Sequence, residues 1–369
     1  MRLATFNVEN MFERPAAMNL PQWSDGREVL EDFAKLNDLI ARANYTKSVK
    51  DQLLAIMGSY PGLLTQGTSK FIRLREVRGK LVGKVAGQNQ VKVDRRNEWV
   101  GWFELVPDRV DEEAVINTGR IINLVNADIL CVVEADSRVA LTRFNGLVLE
   151  QAGGSSYDHV MLIDGNDERG IDVGILTRQG FSIDGIVSHV DDADAEGVIF
   201  SRDCAEYGVD LPGGGHLLVL TNHFKSKGYG SQVSSNAKRE RQAARVRQIY
   251  DARRAAGVNL IAVVGDLNDT PDSVPLAPLL KGGSDLVDVM DHPAFVGDGR
   301  AGTHGNGTPS SKLDYILMSP ALAGRVNVGG IERRGVWGGQ NGTLFPHIPE
   351  ITKEIEAASD HAALWVDFA

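Results

Sequence analysis

Short apolar runs rich in Val, Ile and Leu recur along this chain and break off at hard polar residues, which restricts it to a fold with several buried strands. Leu260-Ile261-Ala262-Val263-Val264 ends at Gly265-Asp266-Leu267-Asn268, and Arg2–Phe6 ends at Asn7-Val8-Glu9. Ile129–Val133 ends at Glu134, and Leu217–Thr221 ends at Asn222-His223. Lys312-Leu313-Asp314-Tyr315 opens a run, and Ser359-Asp360-His361 stands just before the last one. Each of these polar groups sits where a buried strand opens into a loop. Hard oxygens at such places suit Mg²⁺ or Mn²⁺, and a metal beside a His–Asp pair suits hydrolysis of a phosphate ester.

Between the runs lie helical patterns. Glu28–Ala43 carries Leu30, Phe33, Leu36, Leu39 and Ile40 at helical spacing, and Lys47–Met57 reads as a second helix. Asp111–Val125 starts with three acidic residues suited to a helix N-terminus, and Arg138–Leu149 and Asn236–Arg254 read as further helices. Strands are expected at Phe71–Leu74, Leu81–Val85 and Trp99–Val106, forming one small sheet around a polar loop at Gly87–Asn97. Others are expected at His159–Ile163, Ile171–Leu176, Phe181–Val190 and Val198–Arg202. Many strands with a few long helices predict a two-sheet α/β sandwich with helices on its outer faces.

In 369 residues, 43% hydrophobic and 24% charged, there is apolar material for a large core. A net charge of −10 argues against broad attraction to nucleic acid or an anionic membrane. It leaves room for a local basic stripe, for which Lys225–Lys227 and Lys238-Arg239 with Arg241 are available; the second cluster reads equally as a solvated helix face. Two cysteines give no disulfide framework, and Cys131 sits within an apolar strand as a small core residue. No apolar stretch is long enough to cross a bilayer and no leader is seen, so a cytoplasmic protein without a membrane or obligate protein partner is expected.

Asp266 and Asn268 stand two apart after a strand and so face one side, where a carboxylate and an amide together can orient water, bind a metal and touch a phosphate oxygen. A plain turn would use the same residues. Asp314 enters an apolar strand, where an unpaired charge is costly, so a partner is expected and His361 is the candidate. His223 at a strand end is placed to contact phosphate or protonate a leaving oxygen, or simply to bond backbone. Glu134 reads as a metal ligand or as an exposed loop carboxylate.

These segments, in this order, resemble the endonuclease/exonuclease/phosphatase superfamily, the metal-dependent phosphoesterases that include DNase I-like nucleases. The resemblance runs from Thr5-Phe6-Asn7-Val8-Glu9 to Ser359-Asp360-His361. It implies a four-layer α/β sandwich of two packed, mainly antiparallel sheets flanked by helices. It implies that Glu134 is the principal metal ligand, with Asn7, Glu9 and Asp360 around the metal. Asp266 is similar to the water-activating aspartate and Asn268 to its partner, and Asp314 with His361 to the pair facing the scissile phosphate. His223 matches the histidine of DNase I-like members, and Lys225, Arg169 and Asp172 lie where substrate phosphate is contacted; Asp172 reads equally as bonding a loop or Arg169. Mg²⁺ or Mn²⁺ is the implied cofactor. A nuclease with a nucleic acid substrate is the first reading, and a phosphatase or phosphodiesterase for a small-molecule or lipid-head-group ester the alternative.

Compact members place the first asparagine and the glutamate close together, whereas Asn7 and Glu134 are 134 − 7 = 127 positions apart here. The chain is therefore expected to be a single domain over residues 1–369 with an elaborating insertion at Glu13–Asp111, a lid or a structural buttress.

Overall fold

The computed structural model describes residues 1–11, 15–20, 23–108, 111–167, 169–227 and 231–369. The chain divides into two compact units, one containing residues 1–12, 110–227 and 231–369, the other residues 13–109 with 228–230. Glu13, the expected start of the insertion, lies outside the described residues.

Among the described residues, the two main sheets of the larger unit are built on thirteen strands. These are β1 (Arg2–Met11), β2 (Ile129–Ala135), β3 (His159–Ile163), β4 (Asp172–Thr177), β5 (Ile183–Val187), β6 (Cys204–Asp210) and β7 (His216–His223). They continue with β8 (Ile261–Asp266), β9 (Val287–Asp288), β10 (Phe295–Val296), β11 (Asp314–Met318), β12 (Val326–Glu332) and β13 (Ala363–Phe368). One sheet has the order β10-β12-β13-β1-β2-β4-β3 and the other β9-β11-β8-β7-β6-β5. Pairing is antiparallel except at β1–β2, β7–β8 and β10–β12.

Alternation along these strands buries both faces. Leu3, Ile129, Ile175, Val219, Ala262, Val264, Ile316 and Leu364 fill the space between the sheets. On the outer face of the first sheet, Ile121, Ile122 and Val125 of helix α1 (Glu112–Val125) pack with Phe6, Leu130 and Val132. On the second, Ala243, Val246, Ile249 and Tyr250 of helix α2 (Gln232–Ala255) cover Leu218, Leu220, Ile261 and Val263. Helix, sheet, sheet and helix form the four layers of the DNase I-like sandwich. Helix α1 is capped by Asp111, whose side chain accepts from the Glu113 and Ala114 amides, so the acidic cluster seen in the sequence does mark the start.

Several expectations need correction. The helix expected over Arg138–Leu149 widens at Phe144–Val148, where the Leu149 amide reaches back to the Phe144 carbonyl. Val198–Arg202 is not a strand; only Gly197–Val198 pairs, with Ala193–Asp194. Strands β6, β9, β10 and β12 fall outside the runs that the sequence marks as strands.

The smaller unit has its own core, in which Phe33, Leu36 and Leu39 of the helix Trp23–Ala41 meet Leu53 and Met57 of the helix Lys47–Ser59. The expected single small sheet is two separate ribbons, Ile72–Arg78 with Val100–Leu105 and Val82–Val85 with Gln88–Val91. The polar loop expected at Gly87–Asn97 thus contributes a hairpin strand, its turn made by Ala86 and Gly87, both at positive φ. Trp99 is buried there and donates its indole N–H to the Tyr45 hydroxyl (3.0 Å), whereas Trp102 is largely exposed.

Candidate active site

Strand register brings the polar ends together. His223 on β7 is paired across the ladder with Asp266 on β8, and Asp266 with Asp314 on β11. In the other sheet, Asn7 on β1 is paired with Val133 on β2. Glu134, the next residue, falls in a bulge against both neighbouring strands and adopts φ 69°, which turns its side chain out of the ladder's alternation. Glu9 (φ 45°) and Asn268 (φ 54°) are also left-handed, so three of the five non-glycine residues at positive φ among the described residues lie here. Such strain persists only where surrounding structure holds it, and it concentrates at functional sites. Gly265 is required as well: at φ 125°, a Cβ would stand 1.9 Å from the Asn222 carbonyl oxygen.

Asn7 links the two sheets, its amide donating to Glu134 Oε1 (3.3 Å) and Asp266 Oδ2 (3.2 Å). Its Oδ1 accepts from the Glu9 amide (3.1 Å), and Glu9 Oε2 accepts from the Asp360 amide (2.7 Å). Asp266 Oδ1 accepts from the Asn268 amide (2.8 Å), while the Asn268 side chain donates to the Phe224 carbonyl (3.2 Å). His361 Nδ1 bonds Asp314 Oδ2 (2.7 Å), leaving Nε2 3.9 Å from Asp266 Oδ2 and 3.7 Å from Asp360 Oδ1. Across the site, His223 Nε2 lies 3.7 Å from Glu134 Oε1 and 3.8 Å from Asp266 Oδ2.

Burial, reinforced by Asp314, pushes the Asp266 carboxyl up to about 7. Burial alone would push His361 down, but the carboxylates of Asp314 and Asp360 outweigh it and hold its pKa well above the ordinary value. His223 goes the other way: burial, with Arg202 and Arg169 beside it, holds its pKa well below the ordinary value.

Arg202, fully buried, lies 3.1 Å from Asp167 Oδ2 and donates to the Phe224 carbonyl (3.4 Å). Arg169 clamps the same carboxylate from its Nε (2.8 Å) and Nη2 (2.6 Å). Asp172 is not its partner; that carboxyl accepts from the Gly165 amide (2.7 Å), and burial pushes it up to about 7. Lys225 is pushed down to about 7 by burial and by Arg202.

Twelve side chains were singled out from the sequence. Asn7, Glu9, Glu134, Asp266, Asn268, Asp314, Asp360, His361 and His223 form one connected cluster. Arg169, Lys225 and Asp172 lie around Arg202 on the His223 side. Sequence reasoning missed Arg202, for which nothing local signals a role, and Thr303, whose hydroxyl donates to Asp314 Oδ2 (2.6 Å). It missed Ser359, whose hydroxyl donates to the Asn7 carbonyl (2.7 Å) and accepts from the His361 amide (2.9 Å). His304, in a glycine-rich loop, bonds Asp360 Oδ2 (3.2 Å) and meets the His361 ring edge-on. Asp266, Asp314 and His361 form one group whose donor atoms lie within 4.8 Å of one another, and His304, Asp360 and His361 form another.

The basic stripe is internally occupied. On α2, Arg239 pairs with Asp269 (2.9 Å), Arg245 with Asp192 (2.7 Å), Arg253 with Glu206 (2.7 Å) and Arg241 with Asp194. Lys238 donates to the Val198 carbonyl and Lys227 pairs with Asp269 (2.7 Å).

A family model described as the Endonuclease/Exonuclease/phosphatase family matches residues 107–361. The chain belongs to that family, whose members hydrolyse phosphoesters. Among solved structures, the mannosyl-6-phosphatase of Bacteroides thetaiotaomicron matches at 16% identity and TM-score 0.50, covering 70% of this chain and 91% of its own. A truncated TDP2 from Caenorhabditis elegans matches at 16% identity and TM-score 0.48, over 70% of this chain and 93% of its own. A family protein from Beutenbergia cavernae matches at 19% identity and TM-score 0.48, over 71% of this chain and 66% of its own. No curated protein matches the chain. Among the described residues, no helix is long and apolar enough to cross a membrane.

Proposed function

We propose that this protein hydrolyses a phosphodiester by in-line attack of water, with a nucleic acid strand as substrate. The observation that carries the hydrolytic reading is the chain of contacts from Glu134 through Asn7 to Asp266, facing a His361 held by Asp314 at 2.7 Å. The donor set suits a divalent cation: Glu134 and Asp266 share the Asn7 amide, and Asp266, Asp314 and Asp360 lie around the imidazolium of His361. Glu134, Asn7 and Asp360, with Glu9 close by, would hold Mg²⁺ or Mn²⁺. Such an ion supplies charge neutralisation at a phosphoryl oxygen and at the leaving oxygen.

The protein's own groups do the rest. Asp266, its Oδ1 fixed by the Asn268 amide, takes the proton of the attacking water. His361 carries its proton on Nε2 towards the phosphoryl oxygens, while Asp314 fixes Nδ1 and so the direction of that N–H. His223 is a poor proton donor, because burial and two guanidinium groups keep it neutral. Its part is a hydrogen bond to phosphate rather than protonation of the leaving oxygen, the other option its position suggested.

A specific observation favours the small-ester alternative: the cations of α2 are tied to Asp269, Asp192, Glu206 and Asp194 and do not offer a long phosphate track. Hydrolysis of plasmid, single-stranded DNA, RNA and small phosphodiesters and monoesters with Mg²⁺ or Mn²⁺ separates the two. Cutting of a polynucleotide, abolished by EDTA, supports the nuclease; turnover of small esters alone replaces it with the phosphatase reading.

A further inference from the structure

A cavity of about 740 Å³ is lined by residues of the chain segments that carry Asn268 and Asp314 and takes no part in the chemistry above. Thr270 and Lys312 line its near edge. Thr270 is two residues beyond Asn268 and Lys312 two before Asp314, so the Cα of Thr270 lies within about 8 Å of that of Asn268, and the Cα of Lys312 within about 8 Å of that of Asp314. That wall is rigid: the Lys312 ammonium donates to the Asp314 carbonyl (2.6 Å), pairs with Asp288 (3.0 Å) and sits over the Tyr315 ring. The same contacts neutralise Lys312, so the edge offers no free cation to a second phosphate.

The far side combines an apolar surface with acceptors. Met290 and Phe295 line it, each also packed partly against the core between the sheets. Asp272 and Asp291 line it too and are exposed. Arg300 also faces the cavity, but its guanidinium donates to the Asn306 (3.2 Å) and Leu344 (2.9 Å) carbonyls. Two exposed carboxylates repel an anionic group and accept hydrogen bonds, while a phenyl ring and a thioether suit a flat, uncharged surface. We propose that this cavity is the subsite for the organic group esterified to the scissile phosphate, and that it selects a planar, uncharged heterocycle bearing N–H donors, the chemistry of an amino-substituted nucleobase. The proposal rests on the hydrolase reading above and narrows its substrate.

The test compares the dinucleoside phosphate of adenosine with methyl 4-nitrophenyl phosphate, both with Mn²⁺, in the wild type, Asp291→Lys and Phe295→Leu. Asp291 is exposed, so its replacement leaves folding intact, and Phe295→Leu keeps apolar volume in the core. Each variant is expected to lower kcat/KM on the dinucleoside about 10-fold, chiefly through KM, and to leave the methyl ester within about 2-fold. Equal losses on both esters, or none on the dinucleoside, overturn the subsite. Turnover of the methyl ester without any of the dinucleoside overturns it too, while leaving the hydrolase reading in place. If the wild type turns over neither ester, the phosphodiester reading itself falls and the subsite with it.

Discussion

Two histidines face the Asp266 carboxylate from opposite walls of the site, and one is charged while the other is neutral. On the β11–β13 wall, His361 is nearly enclosed, yet Asp314 and Asp360 hold it protonated. On the β7 wall, His223 is just as enclosed, and Arg202 and Arg169 add to burial in holding it neutral. Burial pushes both imidazoles the same way, so it does not decide between them. The neighbours do, and those neighbours come from remote parts of the chain: Asp314 is 47 positions from His361, and Arg202 and Asp167 come from separate loops. In the proposed reaction, the charged wall supplies the group for developing negative charge and the neutral wall one that would bind phosphate without titrating near neutral pH.

Removing the group between the walls should have the largest effect. Asp266→Ala takes away the proposed base, and kcat should fall by about 10⁴, at the upper end of what general-base catalysis contributes. Steady-state kinetics on any ester the wild type accepts measures this, and a loss below about 10-fold would remove Asp266 from that role. Asp314→Asn, which converts the charged wall into a second neutral one, should lower kcat by about 10³. It has a signature that a merely structural change lacks. In the wild type the rate should rise as the Asp266 carboxyl ionises near its pKa of about 7, and fall again as the pH passes through the raised pKa of His361 and the imidazolium loses its proton. In Asp314→Asn that fall should begin at lower pH. An unchanged alkaline limb would show that Asp314 does not set the charge of His361.

The sequence already exposes most of one wall and little of the other. Asp266, Asp314 and His361 are legible because each interrupts or borders a continuous apolar run, and a carboxylate inside such a run demands a partner. Arg202 is not legible: its partner, Asp167, is 35 positions away and joined to it only by the folding of two loops. The bulge at Glu134 is equally silent, since the residues around it are those of an ordinary strand. Strand β6 escaped for a related reason. Glu206 in its middle breaks the apolar pattern and is buried only because Arg253 of α2 and His189 satisfy it. Strand β12 contains Gly329-Gly330, which reads as a turn; at Gly330 the Trp365 ring lies where a Cβ would stand, 2.5 Å away. Local pattern shows where strands end, while partners remote in sequence decide what is tolerated inside them.

The neutral wall has its own weak point. Arg202→Met leaves Asp167 buried with Arg169 alone and takes a guanidinium from beside His223, so stability should fall by about 3 kcal/mol, as for other broken buried pairs. Urea unfolding with EDTA present measures it without interference from bound metal. A loss under about 1 kcal/mol would mean that Arg169 suffices for Asp167 and that the two walls differ less than their charges imply.

The smallest effect separates the two histidines most directly. For His361 the folded pKa is raised, so its stabilisation is complete below the unfolded value of about 6.5 and is lost as pH rises through the folded value. For His223 the folded pKa is lowered. The unfolded chain then takes up a proton that the native protein refuses, and stability is lost as pH falls below about 6.5. Between about pH 6.5 and 5.5 that loss amounts to about 1 kcal/mol for one histidine. His223→Gln should therefore unfold with a flatter acid-side dependence than the wild type, by about that amount, in urea titrations with EDTA at a series of pH values. The remaining groups titrate alike in both proteins, so the difference between the two curves isolates His223. Parallel curves would mean that His223 is charged in the folded state, and the site would then have two cationic walls rather than one of each kind.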